Sequence, residues 1–182
     1  GARVVSPTLG AALALPAEVS STVVHVPTPK PLKAIYMSQC VVGTPSFRDS
    51  LVRFIDNSDL NAVVIDIRDY AGKISFPTDN PTFKDAVSDA CGAQDMQHFI
   101  KTLHDKNIYV IGRITTFQNP YYTSLHPEQA IQKKGGGVWK DFKGLSFVDV
   151  GAKAYWDTVV ELGKISYAIG FDELNFDYIR FP

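Results

Sequence analysis

Cysteine is scarce in this sequence: its 182 residues include only Cys40 and Cys91. The two lie far apart and form no Cys-x-x-Cys pair, so the spacing typical of zinc sites and dithiol redox motifs is missing. Two unpaired thiols are the simpler expectation, because a free cysteine behaves as a small buried apolar residue. The alternative is one disulfide, which would indicate a secreted protein.

Long apolar runs are also lacking. A membrane-spanning helix needs about 18 or more consecutive apolar residues, whereas the run at residues 11–15 is AALAL. That run is either the remnant of a signal peptide or an ordinary part of a tail. We therefore expect no spanning segment, and we expect the protein outside the cell or in the cell envelope, with the cytoplasm as the alternative. Because the first residue is Gly1 and not Met, we expect a processed or cut chain.

Neither sign of charge dominates, since 18 Lys and Arg face 19 Asp and Glu for a formal net charge of −1. Nucleic-acid-binding proteins usually present a basic face, so we expect no nucleic-acid partner. The four histidines are scattered without His-Glu-x-x-His spacing. The glycines at 135–137 lack the Lys-Ser/Thr of a phosphate-binding loop, and no Gly-x-Ser-x-Gly motif occurs. We expect no metal and no cofactor.

The chain divides into a tail and one domain. Residues 1–32 show no hydrophobic period, and their prolines exclude a regular helix. These prolines are Pro7, Pro16, Pro27, Pro29 and Pro31. We interpret residues 1–32 as a flexible Pro-rich N-terminal tail and residues 33–182 as a single domain.

Within the domain, two hydrophobic periods alternate. Apolar, largely β-branched runs at 33–37, 61–67 and 108–114 predict strands, and a fourth strand lies within 171–182. Apolar residues at helical spacing predict helices over 44–55, 95–106 and 152–169, and Gly170 ends the last of these. This order is typical of an α/β fold with a parallel sheet and crossover helices.

Polar side chains share one parity on the last predicted strand. Leu174 and Phe176 are apolar and are expected to face the helices. Side chains alternate across a strand, so Glu173, Asn175 and Asp177 are expected to point to the opposite face. Asp177 lies nearest the carboxyl end of the strand, where the active sites of (β/α) barrels are found.

The two preceding strands follow the same pattern. Asp66 and Arg113 lie near the ends of their strands at the parity that we assign to Asp177. The sequence therefore predicts two carboxylates and one guanidinium at the same edge of the sheet, unless a β-bulge inverts one parity. Such charges are equally consistent with an ion-pair network that performs no chemistry.

Three further residues near the predicted strand ends are candidates for binding. Trp139 lies on the long loop after the third strand and either stacks on a sugar ring or packs within the loop. Asp69 either binds substrate or caps the loop before Gly72. Arg180 either binds substrate or ties the last strand to a helix.

Four segments of the chain resemble a known family. Residues 171–182 read FDELNFDYIRFP, and the others are LNAVVIDIRD at 60–69, IYVIGRI at 108–114 and GVWKD at 137–141. Together they are similar to the signature of the family described as "putative glycosyl hydrolase domain", formerly a domain of unknown function. The resemblance runs from about residue 33 to residue 182, with the motifs in the expected order.

The resemblance implies a (β/α)8 barrel of the TIM type that cleaves glycosidic bonds in a polysaccharide or glycan. Such hydrolysis commonly uses two carboxyl groups. We predict that Asp177 and Asp66 are catalytic, with Asp177 as nucleophile or stabiliser. Arg113 either keeps Asp177 ionised or binds substrate hydroxyls. The predicted substrate-binding residues are Arg113, Asp69, Asn175, Arg180 and Trp139.

A complete barrel needs about 200 residues or more, so we expect residues 33–182 to form only the first four βα units. The general acid would then lie beyond Pro182 and the isolated chain would be inactive. A half barrel exposes two strand edges, so we expect the missing half or a second copy of the chain as a partner. The alternative function is a non-catalytic carbohydrate-binding module or a structural barrel module of the cell envelope.

Overall fold

The computed structural model describes residues 22–180 and residue 182. Four strands form one parallel sheet, in which each strand pairs with the next along the chain. They are β1 (Ala34–Met37), β2 (Ala62–Arg68), β3 (Tyr109–Thr115) and β4 (Glu173–Asp177). β1 and β4 occupy the two edges of this sheet.

Five helices accompany the sheet: α1 (Gln39–Val42), α2 (Pro45–Asp56), α3 (Met96–Asp105), α4 (Pro120–Leu125) and α5 (Lys153–Ala168). The predicted alternation of strands and helices is confirmed, and α2, α3 and α5 begin and end within one residue of the predicted positions. The sequence analysis missed α1 and α4, which are too short to show a hydrophobic period. Each is started by a side-chain cap, because Ser38 accepts the N–H of Val41 and Asn119 accepts the N–H of Tyr122.

The main core lies between the sheet and the helices. Val63, Ile65 and Val110 are fully buried on the helix-facing side of the sheet. They belong to one cluster with apolar side chains of α2, α3 and α5. At the last strand, Gly163 of α5 leaves room for Leu174, which faces the helices as predicted. Burial of this face holds each strand in register, because a one-residue slip would move its apolar side chains to the opposite face.

A bulge in β2 changes the direction of the side chains beyond Asp66. Asp66 pairs in register with Arg113, but Arg68 pairs with Ile114, so Ile67 is an extra residue. Arg68 is consequently buried, and its guanidinium donates to the carbonyls of Thr115 and Thr116 at the end of β3. The bulge lies after Asp66, so the Asp66 side chain still points to the predicted face of the sheet.

The two cysteines form a disulfide, so the expectation of two unpaired thiols is wrong. Cys40 lies in α1, directly after β1, and Cys91 lies in the loop between β2 and α3. The same two loops are also joined by hydrogen bonds, because Gln39 donates its side-chain amide to the carbonyl of Lys73 and accepts the N–H of Gly92. Folding therefore brings the cysteines together across a loop–loop contact that cysteine spacing does not reveal.

Residues 22–32, the described part of the predicted flexible tail, are held against the domain. The N–H of Val26 donates to Asp172 Oδ1 at 2.8 Å, and the His25 ring stacks on Tyr167 with 3.9 Å between ring centroids. Val26 also packs on the buried Tyr109. This packing overrides the Pro-rich composition, which indicates only that no helix forms. Residues 1–21, including the AALAL run, lie outside the described residues.

Asp172 anchors this attachment from a buried position, with a side chain that is 1% exposed. Its Oδ2 contacts His104 Nε2 at 2.9 Å and accepts the N–H of Val110 at 2.8 Å. Burial alone would raise the pKa of Asp172, but these bonds and the one from Val26 outweigh it and hold the pKa below its usual value.

Asp172→Asn is therefore expected to lower the free energy of unfolding by about 2 kcal/mol at pH 7, because it weakens hydrogen bonds to a charged group. Because the folded-state pKa lies below the unfolded value of about 3.9, the carboxylate stabilises the fold fully above that pH, and this contribution is lost as the pH falls through the folded-state pKa. Urea unfolding at several pH values from 7 to 3 measures both effects. Asp157→Asn, on the exposed face of α5, serves as the control. An acid dependence in Asp172→Asn equal to that of the wild type would refute this role for Asp172.

Candidate active site

Four side chains meet at the carboxyl end of the sheet, one from each strand. Arg113 of β3 stands in the middle and donates from Nη1 to Asp66 Oδ1 at 2.8 Å and from Nε to Asp177 Oδ2 at 2.9 Å. Tyr36 of β1 donates its hydroxyl to the second oxygen of Asp66 at 2.5 Å. The structure thus brings together Asp66, Arg113 and Asp177, and adds Tyr36.

Tyr36 was not predicted, although the alternation of side chains along β1 would have indicated it. Tyr36 pairs in register with Val64, and Val64 shares its parity with Asp66. A polar residue on the inward parity of β1 could therefore have been found by extending the same argument to the first strand. Burial and the hydrogen bond to Asp66 raise the pKa of Tyr36, so the phenol stays protonated as the donor of this pair.

Asp177 combines fixed orientation with access to solvent. One oxygen accepts from Arg113, the other accepts the N–H of Tyr178 at 2.7 Å, and the side chain remains 48% exposed. Tyr178 has a φ of 56°, a left-handed conformation that costs a residue with a Cβ roughly 1–2 kcal/mol. Such strain is often found at functional sites, and here it accompanies the N–H donation to the Asp177 carboxylate.

The electrostatics of the cluster favour an ionised Asp177. Burial alone would raise the pKa of Asp177, but the Tyr178 N–H and the Arg113 guanidinium outweigh it and hold the pKa below its ordinary value. Burial would likewise lower the pKa of Arg113, yet the hydrogen bonds to Asp66 and Asp177 raise it. The cluster therefore holds a charged Arg113 beside an ionised Asp177.

A buried arginine, Arg68, helps to fix the backbone where β3 and β4 end. Arg68 and the hydroxyl of Tyr155 both donate to the carbonyl of Thr116, and the N–H of Thr116 donates to the backbone carbonyl of Asp177 at 2.8 Å. Sequence reasoning missed Arg68 because the bulge reverses its direction. Arg68 bonds the backbone of Thr115 and Thr116, and Thr116 in turn bonds the backbone of Asp177.

The remaining predicted binding residues occupy different positions. Asn175 is exposed beside Arg113 in register. Asp69 caps its own loop, because its Oδ1 accepts the N–H groups of Ala71 and Lys73. Burial raises the pKa of Asp69 and outweighs the lowering effect of these two bonds. The cap is therefore present in the structure, and substrate binding by Asp69 stays a prediction.

Arg180 and Trp139 lie on a groove next to the cluster, with a volume of about 800 Å³. The Arg180 guanidinium lies 5.0 Å from the centre of the Tyr178 ring. The Arg113 guanidinium approaches the same ring at 5.6 Å. Trp139 packs near Phe147, with 6.0 Å between ring centroids. Tyr178 thereby connects the groove to the carboxylate cluster.

Within the described residues, no group of three or more His, Cys, Asp or Glu side chains is arranged to hold a metal ion. No helix in that same part of the chain is long and apolar enough to cross a membrane.

A family model described as "Putative glycosyl hydrolase domain" matches residues 34–182. The chain belongs to this family. A search of curated proteins gave no match. Among solved structures, the chain is similar to a hypothetical protein from Ruminiclostridium thermocellum ATCC 27405, with 33% identity and a TM-score of 0.76 over 81% of this chain and 77% of the other.

Two glycosidases share the fold at much lower identity. The alpha-L-fucosidase isoenzyme 2 from Paenibacillus thiaminolyticus is 12% identical, with a TM-score of 0.61 over 80% of this chain and 23% of that enzyme. The alpha-galactosidase TtGalA from Thermus thermophilus is 11% identical, with a TM-score of 0.55 over 84% of this chain and 31% of that enzyme. The chain therefore corresponds to less than a third of either enzyme.

Proposed function

We propose that the chain supplies the first four βα units of a (β/α)8-barrel glycoside hydrolase and that Asp177 acts on the anomeric carbon. The observation that carries the proposal is the geometry of Asp177: a carboxylate with a depressed pKa, oriented by two donors and half exposed at the carboxyl end of β4. Active sites of (β/α) barrels are found at that end of the strands.

Asp177 suits the role of nucleophile or charge stabiliser. Glycoside hydrolysis passes through a transition state with oxocarbenium character, so positive charge develops on the sugar. A carboxylate that is ionised and held in place before the substrate arrives stabilises this charge without reorganisation.

Asp66 and Arg113 suit supporting roles. Both oxygens of Asp66 are engaged, one by Arg113 and one by Tyr36. Asp66 is therefore better placed to hold Arg113 and to accept sugar hydroxyls than to attack carbon. We propose that the general acid comes from a later strand of the complete barrel, because a carboxyl group that donates a proton needs a raised pKa and Asp177 has the opposite shift.

The family match and the shared fold of the two glycosidases support this proposal. The test is the release of reducing ends from a panel of polysaccharides and oligosaccharides by the full-length protein. We expect the wild type to cleave at least one substrate and the double variant Asp66→Asn/Asp177→Asn to cleave none. Equal cleavage by both proteins would remove this cluster from catalysis.

The second candidate is a carbohydrate-binding module without catalysis. The engagement of both oxygens of Asp66 and the depressed pKa of Asp177 favour it, because neither carboxyl group of the cluster is then suited to act as a general acid. Binding of a glycan by the full-length protein, with no cleavage of any member of the panel, would support this candidate over the hydrolase.

Two further properties of the protein are also proposals. The disulfide supports an extracellular or cell-envelope location, because disulfides persist in oxidising compartments. The edge strands β1 and β4 each offer one unpaired side to a further strand. We propose that the second half of the barrel, or a second copy of the chain, covers these edges.

Tyr36→Phe is expected to lower kcat/KM about tenfold in the full-length protein, because it removes one hydrogen bond to a charged group, worth about 1.5 kcal/mol. The lost bond lets Asp66 move away from Arg113, which in turn orients Asp177. Initial rates on the best substrate of the panel measure the effect. Tyr167→Phe, on the exposed side of α5, is the matched control. A Tyr36→Phe enzyme with wild-type kcat/KM would exclude this role.

A further inference from the structure

The loop after β3 forms a basic lobe, which we define as residues 130–148. Antiparallel bridges between Ala130 and Val148, Gln132 and Val138, and Lys140 and Ser146 hold it together. In a chain with a formal net charge of −1, this lobe contains four lysines and one aspartate. The lysines are Lys133, Lys134, Lys140 and Lys143.

Five cations lie on or beside the basic lobe, namely its four lysines and the nearby Arg180. Within residues 22–180 and 182, the structure gives none of these five side chains a salt bridge. The one acid of the lobe, Asp141, uses its Oδ1 to accept the N–H groups of Lys143 and Leu145, so it caps the turn. The surface therefore carries a local excess of positive charge.

Two of these cations face the groove beside the carboxylate cluster. Lys143, Arg180 and one acid, Asp141, line it together with the aromatic side chains of Trp139, Phe142 and Tyr178. Phe142 is 92% exposed, so its ring is open to a ligand in the groove. Tyr178 belongs both to the groove and to the surroundings of Arg113.

We propose that this groove binds acidic sugar units of a glycan that carries carboxylate groups. The inference rests on the proposed function, since it names the class of substrate for the same site. Aromatic rings offer flat apolar faces to the C–H groups of a sugar ring, while the Arg180 guanidinium matches the planar geometry of a carboxylate. Lys143 and Arg180 each bring one positive charge to the groove, and each uronic acid ring carries one negative charge.

The test compares uronic-acid oligosaccharides with their own methyl esters, which keep the ring and the linkage and lose the charge. Oligogalacturonate, oligoalginate and oligoglucuronate are each titrated into the full-length protein by calorimetry. At least one acid is expected to bind ten times more tightly than its ester at 50 mM salt, and the difference is expected to shrink at 500 mM salt.

Lys143→Gln/Arg180→Gln is expected to abolish this preference, whereas Lys164→Gln on the exposed side of α5 keeps it. Circular dichroism confirms that both variants are folded. The inference is overturned if no acid is preferred, if the double variant retains the preference, or if polyphosphate or single-stranded DNA of equal length binds as tightly as the acid. Cleavage of a neutral glycan without any acid preference would overturn this inference alone and leave the hydrolase proposal standing.

Discussion

Asp177→Asn is expected to lower kcat for glycoside hydrolysis by the full-length protein about a thousandfold, equivalent to about 4 kcal/mol of transition-state stabilisation. Asparagine keeps the size of the side chain and can still accept from Arg113 Nε, but it removes the negative charge that stabilises the developing positive charge on the sugar. The fold should tolerate the change, since the side chain is half exposed at the end of an edge strand.

Asp157→Asn provides the matched control for this experiment, because Asp157 is an exposed aspartate on α5, away from the ends of the strands. Its kcat should equal that of the wild type. Thermal unfolding of all three proteins separates a loss of chemistry from a loss of folded protein. A folded Asp177→Asn enzyme that retains a tenth or more of the wild-type kcat would rule out Asp177 as nucleophile or charge stabiliser.

Removal of the disulfide is expected to produce the largest effect on stability. The bridge joins residues 51 positions apart, and the loop-closure model gives about 4 kcal/mol for a closed loop of this length. Cys40 is exposed and Cys91 is half exposed, so Cys40→Ser/Cys91→Ser loses little apolar packing. The cost therefore comes mainly from the greater freedom of the unfolded chain.

Urea unfolding of the double serine variant measures this cost. Addition of dithiothreitol should destabilise the wild type by the same amount and leave the variant unchanged, which provides an internal control. A difference below about 1 kcal/mol between the variant and the oxidised wild type would show that the bridge contributes little to the fold.

Much of the fold could be predicted from the sequence because it depends on local patterns. Apolar residues recur in β2, β3, α3 and α5 wherever a face of the element is buried. That recurrence is visible in the sequence itself. Parity along three strands was also enough to place Asp66, Arg113 and Asp177 on one face, because the apolar residues between them fix the opposite face in the core.

The features that escaped prediction depend on contacts between distant segments. The bulge at Ile67 turns Arg68 toward the helices, and no sequence period marks it. The Cys40–Cys91 pairing follows from the packing of two loops. The attachment of residues 22–32 depends on the buried Asp172 carboxylate, which accepts the N–H of Val26 across a separation of 146 residues. The groove beside Tyr178 is likewise lined by residues from two separate parts of the chain, the basic lobe and the residues that follow β4.

The central claim is that the side chains of Tyr36, Asp66, Arg113 and Asp177 form the centre that acts on a glycosidic bond. A crystal structure of the full-length Asp177→Asn protein with a bound oligosaccharide of its best substrate tests it most directly. The account predicts an anomeric carbon within about 3.5 Å of the side chain at position 177, the separation of a near-attack geometry. An oligosaccharide bound with every anomeric carbon far from all four side chains would contradict it.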